Sequence, residues 1–173
     1  QKFKGCELKE HEGKKICLLT CMDHRIDPLA LLGQLGIEGS SPYVLRNAGG
    51  RFTDDIERSL ALAIRLLGVE VVYVIHHNHC GVEQNPDDTV REWLEQDLGP
   101  AVAGDLPIDP INRDSNKDSQ YFAFFHWTDG VRDSVVQDCR RFRESTILSN
   151  RVPVYGFVYN VNNGELKEIE LAD

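Results

Sequence analysis

Apolar residues along the chain recur at two spacings, and the alternation between them predicts the fold. Lys-Lys-Ile-Cys-Leu-Leu-Thr-Cys (14–21) is a short, continuous apolar run and predicts a buried strand. Asp-Pro-Leu-Ala-Leu-Leu-Gly-Gln-Leu-Gly (27–36) follows, with proline near a helix start and glycine at its end. Pro-Tyr-Val-Leu-Arg-Asn (42–47) reads as a second strand. From Thr53 onward, Ile56, Leu60, Ala63, Ile64 and Leu67 repeat on one helical face, with Thr53 as N-cap and Gly68 as the stop. Val-Glu-Val-Val-Tyr-Val-Ile-His (69–76) is a third strand, apolar enough to be buried on both faces. Trp127, Val131, Val135, Cys139 and Phe142 mark another amphipathic helix. Segments 152–161 and 165–171 flank Asn-Asn-Gly, a hairpin turn signal.

Strands alternating with helices predict an α/β fold. The expectation is a single domain over residues 1–173, with a mostly parallel central β-sheet flanked by helices. An antiparallel edge hairpin closes it at the C-terminus. There is no internal repeat and no linker. The polar, Pro/Asp-rich stretch from Gly99 to Gln120 is long for a loop, which marks it as functional or mobile.

Composition narrows the chemistry. With 173 residues and 41% hydrophobic content the chain can bury a sizeable core. A net charge of −9 argues against nucleic acid, whose phosphates need a basic face, but is no obstacle to a small neutral substrate. No run approaches the roughly 18 apolar residues of a membrane span, and the opening residues do not resemble a signal peptide. Five cysteines (Cys6, Cys17, Cys21, Cys80, Cys139) are an odd number for a disulfide framework. Cys17 and Cys21, four apart on a strand, stand about 13 Å from each other. A disulfide needs Cα atoms within about 7 Å. A reducing, cytoplasmic compartment and a metal site are expected instead.

The residues ending the three strands carry the functional reading. The first ends in Cys21-Met-Asp23-His-Arg25, the second in Arg46-Asn47-Ala-Gly49-Gly-Arg51, and the third runs into His76-His77-Asn-His79-Cys80. Ligands of open parallel sheets bind beyond the carboxyl ends of the strands, where strand order reverses. Cys21, His77 and Cys80 can meet there as two thiolates and one imidazole, a set suited to one zinc ion per chain with a fourth position open. Zinc in such a site supplies hydroxide at neutral pH, and Asp23, held by Arg25, is placed to orient it. Arg46 and Arg51 are candidates for binding an anion or for lining a charged rim.

Cys-x-Asp-x-Arg followed by a distant His-x-x-Cys resembles the zinc signature of the β-class carbonic anhydrases. The likeness extends through Leu-Arg-Asn-Ala-Gly-Gly-Arg, Thr-Asp-Asp-Ile-Glu-Arg-Ser-Leu and Leu-Leu-Gly-Val-Glu, covering residues 14 to 83 closely. The resemblance implies zinc on Cys21, His77 and Cys80. It implies that Asp23 accepts a hydrogen bond from the zinc-bound hydroxide or, in a closed state, ligates the metal itself. Arg25 would pair with Asp23 and keep the fourth position free. It further implies a homodimer, or a dimer of dimers, with the site near its interface. Departures are His24 where a small residue is usual, His76 where glycine is common, and His79 before Cys80. His76 is found in a branch of small bacterial and fungal members that also resembles hydrolases of carbonyl sulfide and carbon disulfide.

Three functions follow: reversible hydration of carbon dioxide to bicarbonate by zinc-bound hydroxide; hydrolysis of carbonyl sulfide or carbon disulfide at the same zinc; or a non-catalytic zinc-binding or redox-sensing module. Arg46, Asn47, Gly49, His76 and His79 are the further candidates for contacting substrate or supporting the ligands, with His79 favoured as proton shuttle or pocket-narrowing group. Cys6, Cys17 and Cys139 are expected to be core or surface thiols. The stripe Phe122, Phe124, Phe125 and Trp127 is expected to serve a core or an interface.

Overall fold

A computed structural model describes residues 11, 13–37, 41–85, 87–98, 130–148 and 152–171. Five strands form one sheet: β1 (Ile16–Cys21), β2 (Tyr43–Asn47), β3 (Val71–His77), β4 (Val154–Asn160) and β5 (Glu165–Ile169), in the order β2-β1-β3-β4-β5. The first four run parallel and β5 returns antiparallel to β4. The helices are α1 (Pro28–Gln34), α2 (Asp54–Leu62), α3 (Gly81–Gln84), α4 (Asp87–Leu98) and α5 (Val131–Glu144). The expected α/β class, parallel sheet and C-terminal hairpin are all present. Cys6, the aromatic stripe 122–127 and the 99–120 segment lie outside the described residues.

Local chemistry explains the elements. Asp27 caps α1 by accepting the Leu29 amide at 2.9 Å, and Pro28 fills the first helical position, where no amide partner is needed. Thr53 occupies the N-cap of α2 with extended backbone, although its hydroxyl makes no capping bond. α2 passes into a π-helical turn over Ala63–Leu67, which the sequence did not foretell, and Gly68 ends it at φ 77°. α3 and α4 were not expected either.

The strands β1 and β3 are buried along their whole length, as a sheet covered on both sides requires. One face packs Ile16, Leu18, Val71, Tyr73 and Ile75 against Leu31 and Leu32 of α1. The other packs Cys17, Leu19, Val72 and Val74 against Ile56 and Leu60 of α2 and against Val135, Cys139 and Phe142 of α5. Cys17 and Cys139 are thus core thiols, and burial pushes both up to about 12. After β1 the chain adds β2 on one side, then crosses back to add β3 on the other. The carboxyl ends of β1 and β3 therefore flank the point where strand order reverses, the position where such sheets bind ligands.

Candidate metal centre

Cys21 is the last residue of β1, His77 the last of β3, and Cys80 closes the turn that follows. All three are buried, and their ligand atoms lie within 4.8 Å of one another. The two sulfurs stand 3.9 Å apart. The Cys80 hydrogen bond holds Cys21 toward thiolate, aided by the backbone amides around it. The neighbouring Cys21 and burial keep the proton on Cys80.

His77 is set up as a ligand by its other ring nitrogen. Nδ1 lies 2.9 Å from the Asn78 carbonyl, which only accepts, so Nδ1 bears the proton and the Nε2 lone pair is free. Nε2 is the one buried side-chain nitrogen or oxygen among the described residues with no hydrogen-bond partner. A buried acceptor without a partner is costly, and a cation beside the two sulfurs satisfies it. Two thiolates and one imidazole fit zinc and leave a fourth coordination position.

Asp23 flanks this group, its Oδ2 3.9 Å from His77 Nε2. Arg25 holds both carboxylate oxygens: Nε and the backbone amide donate to Oδ1, each at 2.9 Å, and Nη2 donates to Oδ2 at 2.6 Å. These bonds hold the Asp23 carboxyl well below the usual carboxylate range, so it is ionised throughout neutral pH. Arg25 Nη2 also donates to the His79 carbonyl at 3.0 Å, tying the first strand end to the third. Asn78 anchors the same turn to the end of β4 through its side-chain bonds with Asn160 and the Val161 amide.

The remaining candidates separate by location. Arg46 donates to the carbonyls of Cys21 and Asp23 at 2.9 and 2.6 Å and so supports the loop that carries them. Asn47 exchanges two bonds of 2.8 Å with the backbone of Arg51, closing the Ala48–Gly50 turn. Gly49 is buried in that turn at φ 77°. His79 is exposed at φ 52°, the only non-glycine with positive φ among the described residues, and His24 is exposed on the loop after β1. His76 turns to the opposite face of the sheet from His77, as strand alternation requires, and is fully buried against α5.

Of the two places expected for Arg51, an anion site or a charged rim, the structure contradicts the rim. The residue is buried, and its guanidinium grips Asp138 at 2.9 Å and Gln137 at 2.7 Å. Neither Asp138 nor Ser134, the His76 partner, was singled out from the sequence. The available signal was two polar residues four apart on the helix stripe that carries Val135, Cys139 and Phe142.

Comparison with known proteins agrees with this geometry. A family model described as carbonic anhydrase matches residues 16–166. β-Carbonic anhydrase 1 of Mycobacterium tuberculosis is 32% identical over 167 residues, covering 96% of this chain and 88% of its own. A carbon disulfide hydrolase of Saccharolobus solfataricus is 28% identical over 162 residues, covering 90% and 77%. Among solved structures, the carbonic anhydrase from Streptococcus mutans superimposes with a TM-score of 0.70 at 28% identity, covering 97% of this chain and 87% of its own. No helix among the described residues is long and apolar enough to cross a membrane.

Proposed function

Because the chain belongs to the β-carbonic anhydrase family, we propose that it hydrates carbon dioxide reversibly at a zinc ion held by Cys21, His77 and Cys80. The observation that carries the reading is the partnerless, buried Nε2 of His77 beside two buried sulfurs. Zinc bound there supplies a Lewis acid that makes water nucleophilic at neutral pH.

The chain's own residues do the rest. Asp23, ionised and fixed by Arg25, accepts a hydrogen bond from the nucleophile and points its lone pair at the substrate carbon. The same two bonds restrain the carboxylate from taking the fourth position of the metal. Each hydration releases one proton, and the exposed ring of His79 passes it to solvent. In this reading the working unit is a homodimer, a proposal supported by the exposed Met22 and Leu29 near the site and by Tyr43 and Val44 on the edge strand β2.

Hydrolysis of carbonyl sulfide or carbon disulfide is the second reading, favoured by the similarity to carbon disulfide hydrolases. One preparation distinguishes the two: zinc per chain by elemental analysis, carbon dioxide hydration by stopped flow, and sulfide release from carbonyl sulfide and carbon disulfide. The expected result is about one zinc per chain with fast hydration. Sulfide release without hydration overturns the first reading in favour of the second. Folded protein that binds no zinc overturns both.

A further inference from the structure

Behind the three ligands lies a polar cluster that the chemistry above does not use. Asp138 is completely buried on α5, and a carboxylate withdrawn from water must be paired on every side. Arg51 donates to both of its oxygens, Nε to Oδ2 at 2.9 Å and Nη2 to Oδ1 at 3.1 Å. The Phe52 amide donates to Oδ2 at 2.9 Å. His76 Nε2 stands 3.3 Å from Asp138 Oδ2 and 3.1 Å from the Gly50 carbonyl. Both of these are acceptors, so Nε2 carries its proton and donates to them. His76 Nδ1 pairs with Ser134 Oγ at 2.7 Å.

Nearly all of these bonds lead to one short turn. Arg51 and Phe52 directly follow Ala48–Gly50, and His76 grips the carbonyl of Gly50 itself. The turn in its place lies hard against the end of β1. A Cβ built on Gly50 would stand 2.7 Å from both the Cys21 amide nitrogen and the Thr20 carbonyl carbon, so the turn is seated directly on the strand end that carries the Cys21 sulfur.

We propose that Asp138 is a positioning residue for the metal centre. Through Arg51, Phe52 and His76 it fixes the Gly49–Gly50 turn against the backbone of Thr20 and Cys21, and so holds the strand end from which the Cys21 sulfur projects. The inference rests on the zinc reading of Cys21, His77 and Cys80. It adds a residue that touches none of the three ligands. A ligand whose backbone is held in one place presents its sulfur in one direction, which sets how tightly and in what geometry the metal is held.

Asp138→Asn keeps the size of the side chain but removes its charge and one acceptor. Zinc affinity is measured by competition with a chromophoric chelator, and ligand geometry from the thiolate charge-transfer bands of the cobalt(II)-substituted protein. The variant should bind zinc about tenfold more weakly and shift those bands. Val135→Ala, a core truncation on the same helix, should lower stability and leave both readouts at their wild-type values. If Asp138→Asn does not fold, Arg51→Lys replaces it, since lysine keeps the charge and cannot span both oxygens. Wild-type zinc affinity and cobalt bands in the folded variant overturn the inference and leave the zinc reading intact. An equal loss of affinity in Val135→Ala also overturns it, as general destabilisation. Wild-type protein that binds no zinc overturns the zinc reading together with the inference.

Discussion

Replacing Gly50 by alanine tests how rigidly the turn is seated on β1. Gly50 sits at φ 71°, where a side chain costs about 1–2 kcal/mol. The new Cβ would also lie 2.7 Å from both the Cys21 nitrogen and the Thr20 carbonyl carbon, backbone atoms of a strand paired on both sides. The strand cannot yield without losing its ladder, so the turn must retreat by most of an ångström, a form of overpacking that costs about 1–3 kcal/mol. The entropic benefit of alanine in the unfolded chain, about 0.4–1 kcal/mol, offsets only part of this. The net loss is therefore roughly 1–5 kcal/mol, centred near 3, a large share of the stability of a domain this size. Urea unfolding followed by circular dichroism, with zinc first chelated and then saturating, reads two quantities. The chelated midpoint reports the steric cost. The increment on adding zinc reports the site, and should shrink by about 1.4 kcal/mol for a tenfold weaker metal. A wild-type midpoint in chelator refutes the steric argument. A lowered midpoint with an unchanged zinc increment refutes the link between turn and ligand.

Cys80→Ser should lose most of its zinc by elemental analysis, whereas Cys139→Ala, in the core on the far face of the sheet, should retain about one ion per chain. Arg25→Ala should keep its zinc and lose most of its carbon dioxide hydration, because the freed Asp23 carboxylate takes the fourth position; full turnover in that variant would count against the restraint proposed for Arg25. Burial raises the Asp138 carboxyl, but hydrogen bonds from His76 and Arg51 outweigh it and bring it down to about 2 from an ordinary 3.8. A depressed value stabilises the fold above about pH 4 and is lost as pH falls toward 2, so with zinc chelated the stability gap between wild type and Asp138→Asn should narrow by about 2 kcal/mol over that range. Sedimentation at low micromolar concentration should show a dimer, and an active monomer would contradict the proposed working unit.

How much could be read in advance depended on how local the cause was. Strand β3 was legible because a strand covered on both faces must be apolar throughout, and Val71 to Ile75 are. The hairpin was legible because Gly164, at φ 73°, needs the residue that the turn signal supplies. Cys21, His77 and Cys80 could be grouped because all three sit at carboxyl ends of parallel strands, where topology brings side chains together. The role of Asp138 was not legible. Its partners Arg51 and His76 lie far away in sequence, on a turn and a strand, and nothing in the local pattern of α5 names them. The π-helical turn at Ala63–Leu67 was hidden because its apolar spacing also fits an ordinary helix. Arg51 looked like a surface cation because its burial depends on a helix that returns from much later in the chain.

The topology also imposes an order in time. The three proposed ligands fall within residues 21–80, at the ends of strands β1 and β3, which pair directly with each other. The second neighbour of β3 is β4, which begins only at Val154, and the helix bearing Asp138 arrives just before it. A chain emerging from the ribosome thus completes the side chains proposed to hold the metal while one edge of its most apolar strand still has no neighbour. Closing that edge requires a long loop to form, which is the slow part of folding a parallel sheet. The nascent protein passes through an interval in which its chemistry is already assembled and its enclosure is not. During that interval an early-bound metal ion and a chaperone on the open edge would each guard a different weakness.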